Sequence, residues 1–316
     1  MSRSAEATPR PGIVRFIVFP DHAGLRLDQG TAALTGLPRR RVRALAAEGR
    51  LWLNGKAVRV VSRQLHVADV VDVVAESEAL AEPAHLPPPL GLLHEDGWLV
   101  AIDKPAGVAS QPPRRRAPGE LTAQERLALQ LAARDGRRFE PLLFHRLDRL
   151  TTGVLLFACQ REAARALSRG WAEGGADKRY LTVVRGDPGE TLRVVAGPIA
   201  RDGVTPGRFQ VSLRGRAART EVRRLAAAGG LALVEVHPLT GRTHQVRVHL
   251  AHAGFPVAGD SLYGGGSGVP RPFLHAWRLA LPHPKDGARL RLEAPVPSDM
   301  AAFLAAHGLD WSGGKG

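Results

Sequence analysis

The stretch from Phe144 to Ala158, FHRLDRLTTGVLLFA, constrains the fold more than any other part of the sequence. A short polar run, in which Asp148 lies near Arg146 and Arg149, gives way at once to a glycine and the apolar segment VLLF. This order predicts a polar loop that leads into a buried strand, and such loops on rigid elements often carry functional side chains. Nearby positive charge favours the ionised carboxylate, which can be a nucleophile, a base or an ion-pair partner.

The run Arg-Leu-Asp-Arg also has a simpler interpretation, because on spacing alone it is most often a solvated salt-bridge cluster. The longer stretch, however, resembles the HRLD-x-x-[ST]-[ST]-G-hydrophobic signature of the RluA family of RNA pseudouridine synthases. In that family the aspartate of the motif is the nucleophile, so the resemblance implies this role for Asp148. It also implies that Arg146 inserts into the RNA at the place of the flipped base.

Two later segments resemble further motifs of the same family. DKRYLTVVRG is similar to the second motif, whose tyrosine stacks on the target base and assists proton removal, which implies these roles for Tyr180. A flipped-out uracil needs an aromatic face and a polar group, and tyrosine supplies both. The segment from Gly241 to Leu250 is similar to the third motif, G-R-T-H-Q-[IV]-R-x-H. Its arginine pairs with the catalytic carboxylate, which implies that Arg247 keeps Asp148 charged and oriented.

The segment LLHEDGWLVAIDKPAGVASQPP resembles the opening strand and turn of the family, with Gln111-Pro112 where the family usually has His-Pro. We expect Lys104-Pro105 to support the cleft rather than to take part in chemistry. The arginines that follow predict an exposed basic loop that contacts RNA, namely Arg114, Arg115 and Arg116.

Composition supports a polyanionic partner. The chain of 316 residues has a formal net charge of +14, and arginine greatly outnumbers lysine. Arginine binds phosphate in a bidentate manner and stacks on bases, which suits RNA. GC-rich codon usage also favours arginine, alanine, glycine and proline, and we attribute the composition to both causes.

Cysteine and histidine usage argues against disulfides and metal. The single cysteine, Cys159, excludes an intramolecular disulfide and a cysteine-based zinc site, and it fits a cytoplasmic protein. The spacing of His244, His249 and His252 does not match zinc patterns, so we expect structural histidines. The family resemblance implies no metal and no cofactor. No apolar run reaches membrane-spanning length, and the N-terminus lacks the apolar region of a signal peptide.

The N-terminal part resembles an S-four-like RNA-binding module. The pattern is RLD, a basic helix, G-x-x-x-x-NG and a final hydrophobic-D-x-hydrophobic strand. A basic run of this kind is otherwise most often a solvated helix face. The resemblance implies phosphate contacts, which position RNA without reading its sequence, from Arg39, Arg40, Arg41 and Arg43.

Hydrophobic periodicity and turn residues predict the main elements. The expected strands are Ile13–Phe19, 60–74 with a turn at Asp69, Leu99–Ile102, 177–186, 218–225 and Leu231–Val236. The expected helices include Leu121–Ala133 and Arg161–Trp171, and Asn54-Gly55 predicts a hairpin turn. The predicted domains are a tail and strand (1–20), the RNA-binding module (21–75), a proline-rich linker (76–90), the catalytic domain (91–305) and a tail (306–316).

The resemblance implies an α+β fold, in which a mixed, mainly antiparallel curved sheet carries a central cleft, plus the small α/β module. It implies a monomeric pseudouridine synthase that acts on structured RNA, with large-subunit ribosomal RNA favoured over transfer RNA. A non-catalytic RNA-binding or ribosome-assembly protein is the alternative from another class. A glycosidase would need a second carboxylate, for which Asp103 and Asp260 are poorly placed.

Overall fold

The computed structural model describes residues 12–74, 80–113, 116–266, 268–309, 311 and 313. These residues form two compact units. The first takes in the described residues up to Leu90 and those of Gln111–Leu142; the second takes in Gly91–Ser110 and the described residues from Leu143 onward. The predicted domain limits stay predictions, and residues 111–142 group with the first unit although the sequence suggested the catalytic domain. Arg114, Arg115 and residues 75–79 lie outside the described residues.

The described part of the first unit is a small antiparallel sheet with three helices. Its elements in chain order are β1 (Ile13–Ile17), a 3₁₀ turn (Pro20–His22), α1 (Leu27–Thr35), α2 (Arg39–Ala47), β2 (Leu51–Leu53), β3 (Lys56–Ala57), β4 (Val70–Val74) and α3 (Ala123–Asp135). The strands lie in the order β1-β4-β2-β3. Asn54 and Gly55 have φ of 52° and 76°, the left-handed conformations that a two-residue hairpin turn requires. The predicted Asn-Gly turn is therefore confirmed.

Helix α3 explains why residues 111–142 belong to the first unit. Thr122 and Glu125 form a capping box that starts the helix. Its apolar face, which includes Leu129, packs with Ala68 and Val70 in one buried cluster. The predicted helix is confirmed, but its amphipathic pattern did not reveal which unit it covers.

The second unit is built on one large, mainly antiparallel sheet. Its elements are β5 (Gly91–Glu95), β6 (Leu99–Lys104), β7 (Leu142–Leu143, at the division between the units), β8 (Thr152–Ala158), α4 (Arg161–Ala172), β9 (Asp177–Arg185), β10 (Arg193–Ala196), β11 (Ile199–Arg201), β12 (Phe209–Val211), β13 (Arg219–Ala228), β14 (Leu231–Pro238), α5 (Gln245–His252), β15 (Leu274–Pro282), β16 (Arg289–Glu293) and α6 (Ser298–Ala306). The main path is β10-β13-β14-β9-β15-β8-β6-β5, with β16 beside β15, and β11 and β12 form a separate pair.

The centre of this sheet places the loop that carries Asp148. Strand β8 is buried along its whole length, as the VLLF segment predicted, and it runs parallel to β15 at Gly153 and Ala276. Gly153 has φ of 108°, and an added Cβ would lie 2.7 Å from the carbonyl carbon of Ala276. Glycine is therefore required where the polar loop enters the sheet.

A buried histidine completes this junction. His275 on β15 receives a hydrogen bond from the Thr152 hydroxyl at Nδ1 (2.9 Å), and its Nε2 faces the Ala294 carbonyl at 3.3 Å. Burial lowers the pKa of His275 to about 4, so the ring is neutral at physiological pH.

The C-terminal region is more ordered than the sequence suggested. Leu309 is fully buried, and the Trp311 ring meets the Trp277 ring edge-on at 4.9 Å. The predicted tail, 306–316, therefore contributes Leu309 to the core of the second unit, and Trp311 packs against that core. No helix among the described residues is long and apolar enough to cross a membrane.

Candidate active site

Asp148 lies in a cavity of about 360 Å³ within the second unit. This volume falls in the range of small-ligand sites. The side chain of Asp148 is 24% exposed. The cavity is lined by residues from three chain segments, Phe144–Thr151, Trp171–Tyr180 and Pro238–Arg247, together with Leu274.

Arg247 on α5 joins two carboxylates. Its Nε and Nη2 donate to the two oxygens of Asp260 at 2.6 and 2.9 Å, and its Nη1 donates to Oδ2 of Asp148 at 3.2 Å. Asp260 is buried, with a side chain 1% exposed. Burial alone would lower the pKa of Arg247, but the hydrogen bonds and charge of Asp260 raise it, and Asp148 adds to this. A permanently charged guanidinium is thus held beside Asp148.

Tyr180 on β9 lines the same cavity. Its ring packs against the buried apolar cluster around Val184 and Val236. Burial raises the pKa of the phenol, and the charge of Asp148 raises it further. The phenol therefore keeps its proton at neutral pH, which makes it a hydrogen-bond donor with an aromatic face.

An aromatic and basic wall closes one side of the cavity. The His145 ring stacks on Trp171 at 4.6 Å, Phe144 meets Trp171 edge-on at 5.6 Å, and Lys178 Nζ lies 5.1 Å from the Trp171 ring centre. His145 Nε2 accepts the Leu156 amide hydrogen at 2.9 Å. Burial lowers the pKa of His145 to about 3, with the charge of Lys178 adding to the effect. His145 is thus a neutral structural residue.

The loop that carries Asp148 is fastened by the turn after β6. The Lys104 ammonium donates to the carbonyls of Pro105, Val108 and Arg149 at 2.8, 2.8 and 3.1 Å. Ser110 Oγ donates to the Leu147 carbonyl at 2.9 Å and accepts the Leu147 amide hydrogen at 3.1 Å. These contacts agree with the predicted supporting role of Lys104, although burial lowers its pKa to about 7, against the opposing charge of Asp148.

The comparison with known proteins decides the family. A profile of RNA pseudouridylate synthases matches residues 98–252, which contain Asp148, Tyr180 and Arg247. Ribosomal large subunit pseudouridine synthase D of Nitrosomonas europaea is 36% identical over 320 residues, which cover 92% of this chain and 87% of the relative. The chain belongs to the RluA family of RNA pseudouridine synthases.

Further similarities agree with this family. Ribosomal large subunit pseudouridine synthase C of Escherichia coli is 33% identical over 318 residues, covering 94% of this chain and 97% of the relative. The structure of human RNA pseudouridylate synthase domain containing 4 matches with a TM-score of 0.56 and 27% identity, over 68% of this chain and 92% of that one. The family, the enzyme class and the mainly antiparallel α+β fold predicted from the sequence are confirmed.

The predicted RNA-binding arginines are placed differently from one another. Arg146 is exposed and lines the cavity of the synthase. In the first unit, Arg39 and Arg43 donate to Oδ2 of Asp28, with closest contacts of 2.9 and 2.7 Å, and Arg26 approaches Oδ1 at 3.4 Å. Asp28 is fully buried, whereas the Arg39 and Arg43 side chains are 45% and 54% exposed. Burial alone would raise the pKa of Asp28, but these hydrogen bonds hold it well below its usual range.

Other arginines in the first unit have structural partners. Arg41 pairs with Glu48 at 2.9 Å, and Arg116 pairs with Glu125 at 2.7 Å. Arg40 is exposed on α2. RNA contact by any of these arginines stays a prediction, as does the identity of the module.

Three residues that shape the site were not assigned a role from the sequence. Asp260 was considered only as a second acid, yet both its oxygens are occupied by Arg247. His244 was taken as structural, but its Nε2 lies 3.7 Å from Oδ2 of Asp148. Tyr263 receives the Phe209 amide hydrogen and contacts His244. The sequence signal for all three is only their position in or after the third motif.

The remaining histidines of that motif fit the structural interpretation. His249 Nε2 donates to the Gly197 carbonyl at 3.0 Å, so its Nδ1 accepts from the Thr220 hydroxyl at 2.8 Å. His252 is exposed.

One other histidine cluster has the composition of a metal site. Within the described ranges, His94, Asp96 and His283 are close enough to share an ion. Both Nε2 atoms lie at Oδ2 of Asp96, at 2.8 and 3.0 Å. The Lys285 amide donates to His283 Nδ1 at 3.2 Å, which places the His283 proton on Nε2, facing the carboxylate. Ordinary hydrogen bonds therefore account for the cluster.

Proposed function

We propose that this synthase converts specific uridines of large-subunit ribosomal RNA into pseudouridine, with Asp148 as the catalytic carboxylate. The RNA target is supported by relatives named as large-subunit synthases D and C, which align over more than nine-tenths of the chain. The observation that carries the role of Asp148 is its 3.2 Å contact with Arg247 inside a cavity that Tyr180 also lines. We further propose that the protein acts as a cytoplasmic monomer.

The reaction rearranges one nucleotide without a change in its atoms. The bond between ribose C1′ and uracil N1 breaks, the base rotates, and C1′ joins to C5, after which C5 loses its proton and N1 gains one. The target base must leave its stack to be reached. Asp148 acts either by attack on the sugar or ring, or by removal of a ribose proton, and both routes need an ionised carboxylate.

The surrounding groups have matching roles in this proposal. Arg247 holds Asp148 ionised and oriented, while the neutral phenol of Tyr180 stacks on the uracil. Because that phenol keeps its proton, it acts as a hydrogen-bond donor to the uracil, and the C5 proton is lost to water, which also supplies the proton that N1 gains. The exposed side chain of Arg146 enters the RNA stack in place of the flipped base. The wall around Trp171 limits water, which would otherwise trap the detached sugar.

The test is Asp148→Asn with ribosomal RNA that carries tritium at uracil C5. Tritium is released only when C5 joins the sugar and loses its hydrogen. We expect the variant to bind this RNA within about threefold of wild type but to release no tritium above background, because the amide is neither a nucleophile nor a base. The matched control is Asp286→Asn, an exposed turn residue, which should retain wild-type turnover.

The outcomes separate the alternatives. Full tritium release by Asp148→Asn would reject the catalytic role. Tritium release from transfer RNA but not from large-subunit ribosomal RNA would show that transfer RNA is the substrate. RNA binding by wild type without release from either RNA would favour a non-catalytic assembly role.

A further inference from the structure

The hydrogen bonds around His244 define which of its ring nitrogens carries the proton. The Phe209 amide donates to the Tyr263 hydroxyl oxygen at 2.9 Å, and that oxygen lies 2.9 Å from His244 Nδ1. Among the described residues, His244 Nδ1 is the one hydrogen-bond acceptor for the phenol proton, and burial raises the pKa of Tyr263 so that the proton is retained. Tyr263 therefore donates to Nδ1, and the imidazole proton resides on Nε2.

The Nε2–H group points toward the catalytic carboxylate. Nε2 lies 3.7 Å from Oδ2 of Asp148, the same oxygen that receives Nη1 of Arg247 at 3.2 Å. Within the described part of the chain, Oδ1 of Asp148 accepts no hydrogen bond. Burial lowers the pKa of His244 while the charge of Asp148 opposes the shift, so the ring is neutral at pH 7.5. Oδ2 thus receives a hydrogen bond from Arg247 and has the Nε2 atom of His244 3.7 Å away, whereas Oδ1 has no hydrogen-bond donor among the described residues.

The backbone holds His244 in a conformation that few residues adopt. His244 has φ of 56° and ψ of 18° at the start of α5, in the left-handed region. The next residue, Gln245, uses its whole amide to fix the preceding loop. Its oxygen accepts from Thr240 Oγ1 and the Arg242 amide at 2.7 and 3.0 Å, and its nitrogen donates to Thr220 Oγ1 at 3.0 Å. The backbone conformation and these hydrogen bonds therefore fix the position from which the His244 side chain extends.

We propose that His244 is a positioning residue: in the Nε2–H form selected by Tyr263, it anchors Oδ2 of Asp148 together with Arg247 and leaves Oδ1 as the atom that reacts with the target nucleotide. This inference rests on the proposed catalytic role of Asp148. In this proposal, the hydroxyl of Tyr263 and the left-handed backbone at His244 both serve to orient the Asp148 carboxylate before RNA binds.

The first arm of the test needs no substrate. Long-range proton–nitrogen NMR of the full chain with ¹⁵N-labelled histidine reports the tautomer of each ring, and the His244→Gln variant identifies the His244 signals by their loss. We expect wild type at pH 7.5 to show a neutral ring protonated at Nε2. In Tyr263→Phe the ring should become a mixture of tautomers. An Nδ1–H ring or an imidazolium in wild type would overturn the proposal.

The second arm measures single-turnover tritium release at saturating RNA, with RNA affinity measured separately. Tyr263→Phe keeps the ring that contacts Arg247 but removes the donor, and we expect roughly a tenfold slower step with unchanged RNA affinity. His244→Gln places an amide N–H near the Nε2 position, whereas the shorter His244→Asn does not. The Gln variant should therefore be faster than the Asn variant, although asparagine tolerates the left-handed backbone better. His307→Asn, at the exposed residue that follows α6, is the matched control.

The two proposals fail in different ways. If wild type releases no tritium from any RNA tested, the proposed function fails, and the tautomer measurement still decides the state of His244. If wild type is active but Tyr263→Phe and His244→Asn react at the wild-type rate, the positioning role is rejected while the function of Asp148 stands. Equal rates for the Gln and Asn variants would also reject it, because backbone packing alone would then explain the loss.

Discussion

Replacing Gly153 by alanine tests how the loop that carries Asp148 is attached to the sheet. The new Cβ would lie 2.7 and 2.9 Å from the carbonyl carbon and amide nitrogen of Ala276, so β8 and β15 must separate by at least about 0.5 Å. The positive φ costs an L-residue roughly 1–2 kcal/mol, and forced repacking of a buried contact costs about 1–3 kcal/mol more. We therefore expect Gly153→Ala to lose about 2–5 kcal/mol.

Thermal unfolding measures this loss directly. For a unit of this size, about 2–4 °C is lost per kcal/mol, so the melting temperature should fall by roughly 5–15 °C. Activity should fall as well, by about tenfold or more at a temperature where the variant is folded, because Asp148 precedes the displaced residue by one turn. The rate of tritium release at that temperature measures this loss of activity.

The matched control is the same substitution at Gly170. This glycine lies inside α4 at ordinary φ, and an added Cβ meets nothing within 4 Å. Gly170→Ala should be neutral or stabilising by about 0.5–1 kcal/mol. A Gly153→Ala protein that melts within about 2 °C of wild type would refute the reasoning, since neither the φ nor the close approach would then matter.

Three further outcomes follow from the described contacts. Asp260→Asn removes the buried partner of Arg247, so we expect a loss of about 3–5 kcal/mol in urea unfolding and slower tritium release; an unchanged midpoint would contradict the role of this pair. Arg40→Ala should weaken RNA binding equally for different sequences and lower the slope of log affinity against log salt by about one; an unchanged slope would place α2 away from the RNA. At Asp96, burial is outweighed by donors that lower the pKa to about 2, so the stability advantage of wild type over Asp96→Asn is full above about pH 4 and lost as pH falls toward 2. A difference in melting temperature between the two proteins that does not change with pH would contradict the lowered pKa of Asp96.

Much of the fold was predictable because burial leaves a clear pattern. Strand β8 is buried at every position, and its apolar run is followed by the amphipathic pattern of α4. Asn54-Gly55 forms the predicted turn because its φ values need those residue types. By contrast, the sequence predicts strands over residues 60–74 with a turn at Asp69, yet only Val70–Val74 of this segment forms a strand. Asp69 accepts hydrogen bonds from Asn54 and the His66 amide there, which side-chain composition cannot reveal.

The site was predictable only in part. The motifs identified Asp148, Tyr180 and Arg247, and the structure brings these three to one cavity. The pairing of Arg247 with Asp148 was expected from the third motif, but its second partner, Asp260, was not, because an isolated aspartate has no local pattern that predicts an ion pair. The basic run on α2 shows the opposite problem. Its charges are visible in the sequence, but Asp28, the shared partner of Arg39 and Arg43, is recognised only from the structure.

The pairing of Arg247 with Asp260 has a consequence for repeated catalysis. In the proposed mechanism, Asp148 gives up its free charge for a time, either as an ester or as an acid. A guanidinium that depended on Asp148 alone would then lose its counter-ion and drift. Two of the three hydrogen bonds described for Arg247 go to Asp260, a carboxylate that is buried away from the cavity surface. The guanidinium therefore keeps its position throughout the cycle. When Asp148 is regenerated as a carboxylate, it can form the same ion pair with Arg247 before the next RNA binds.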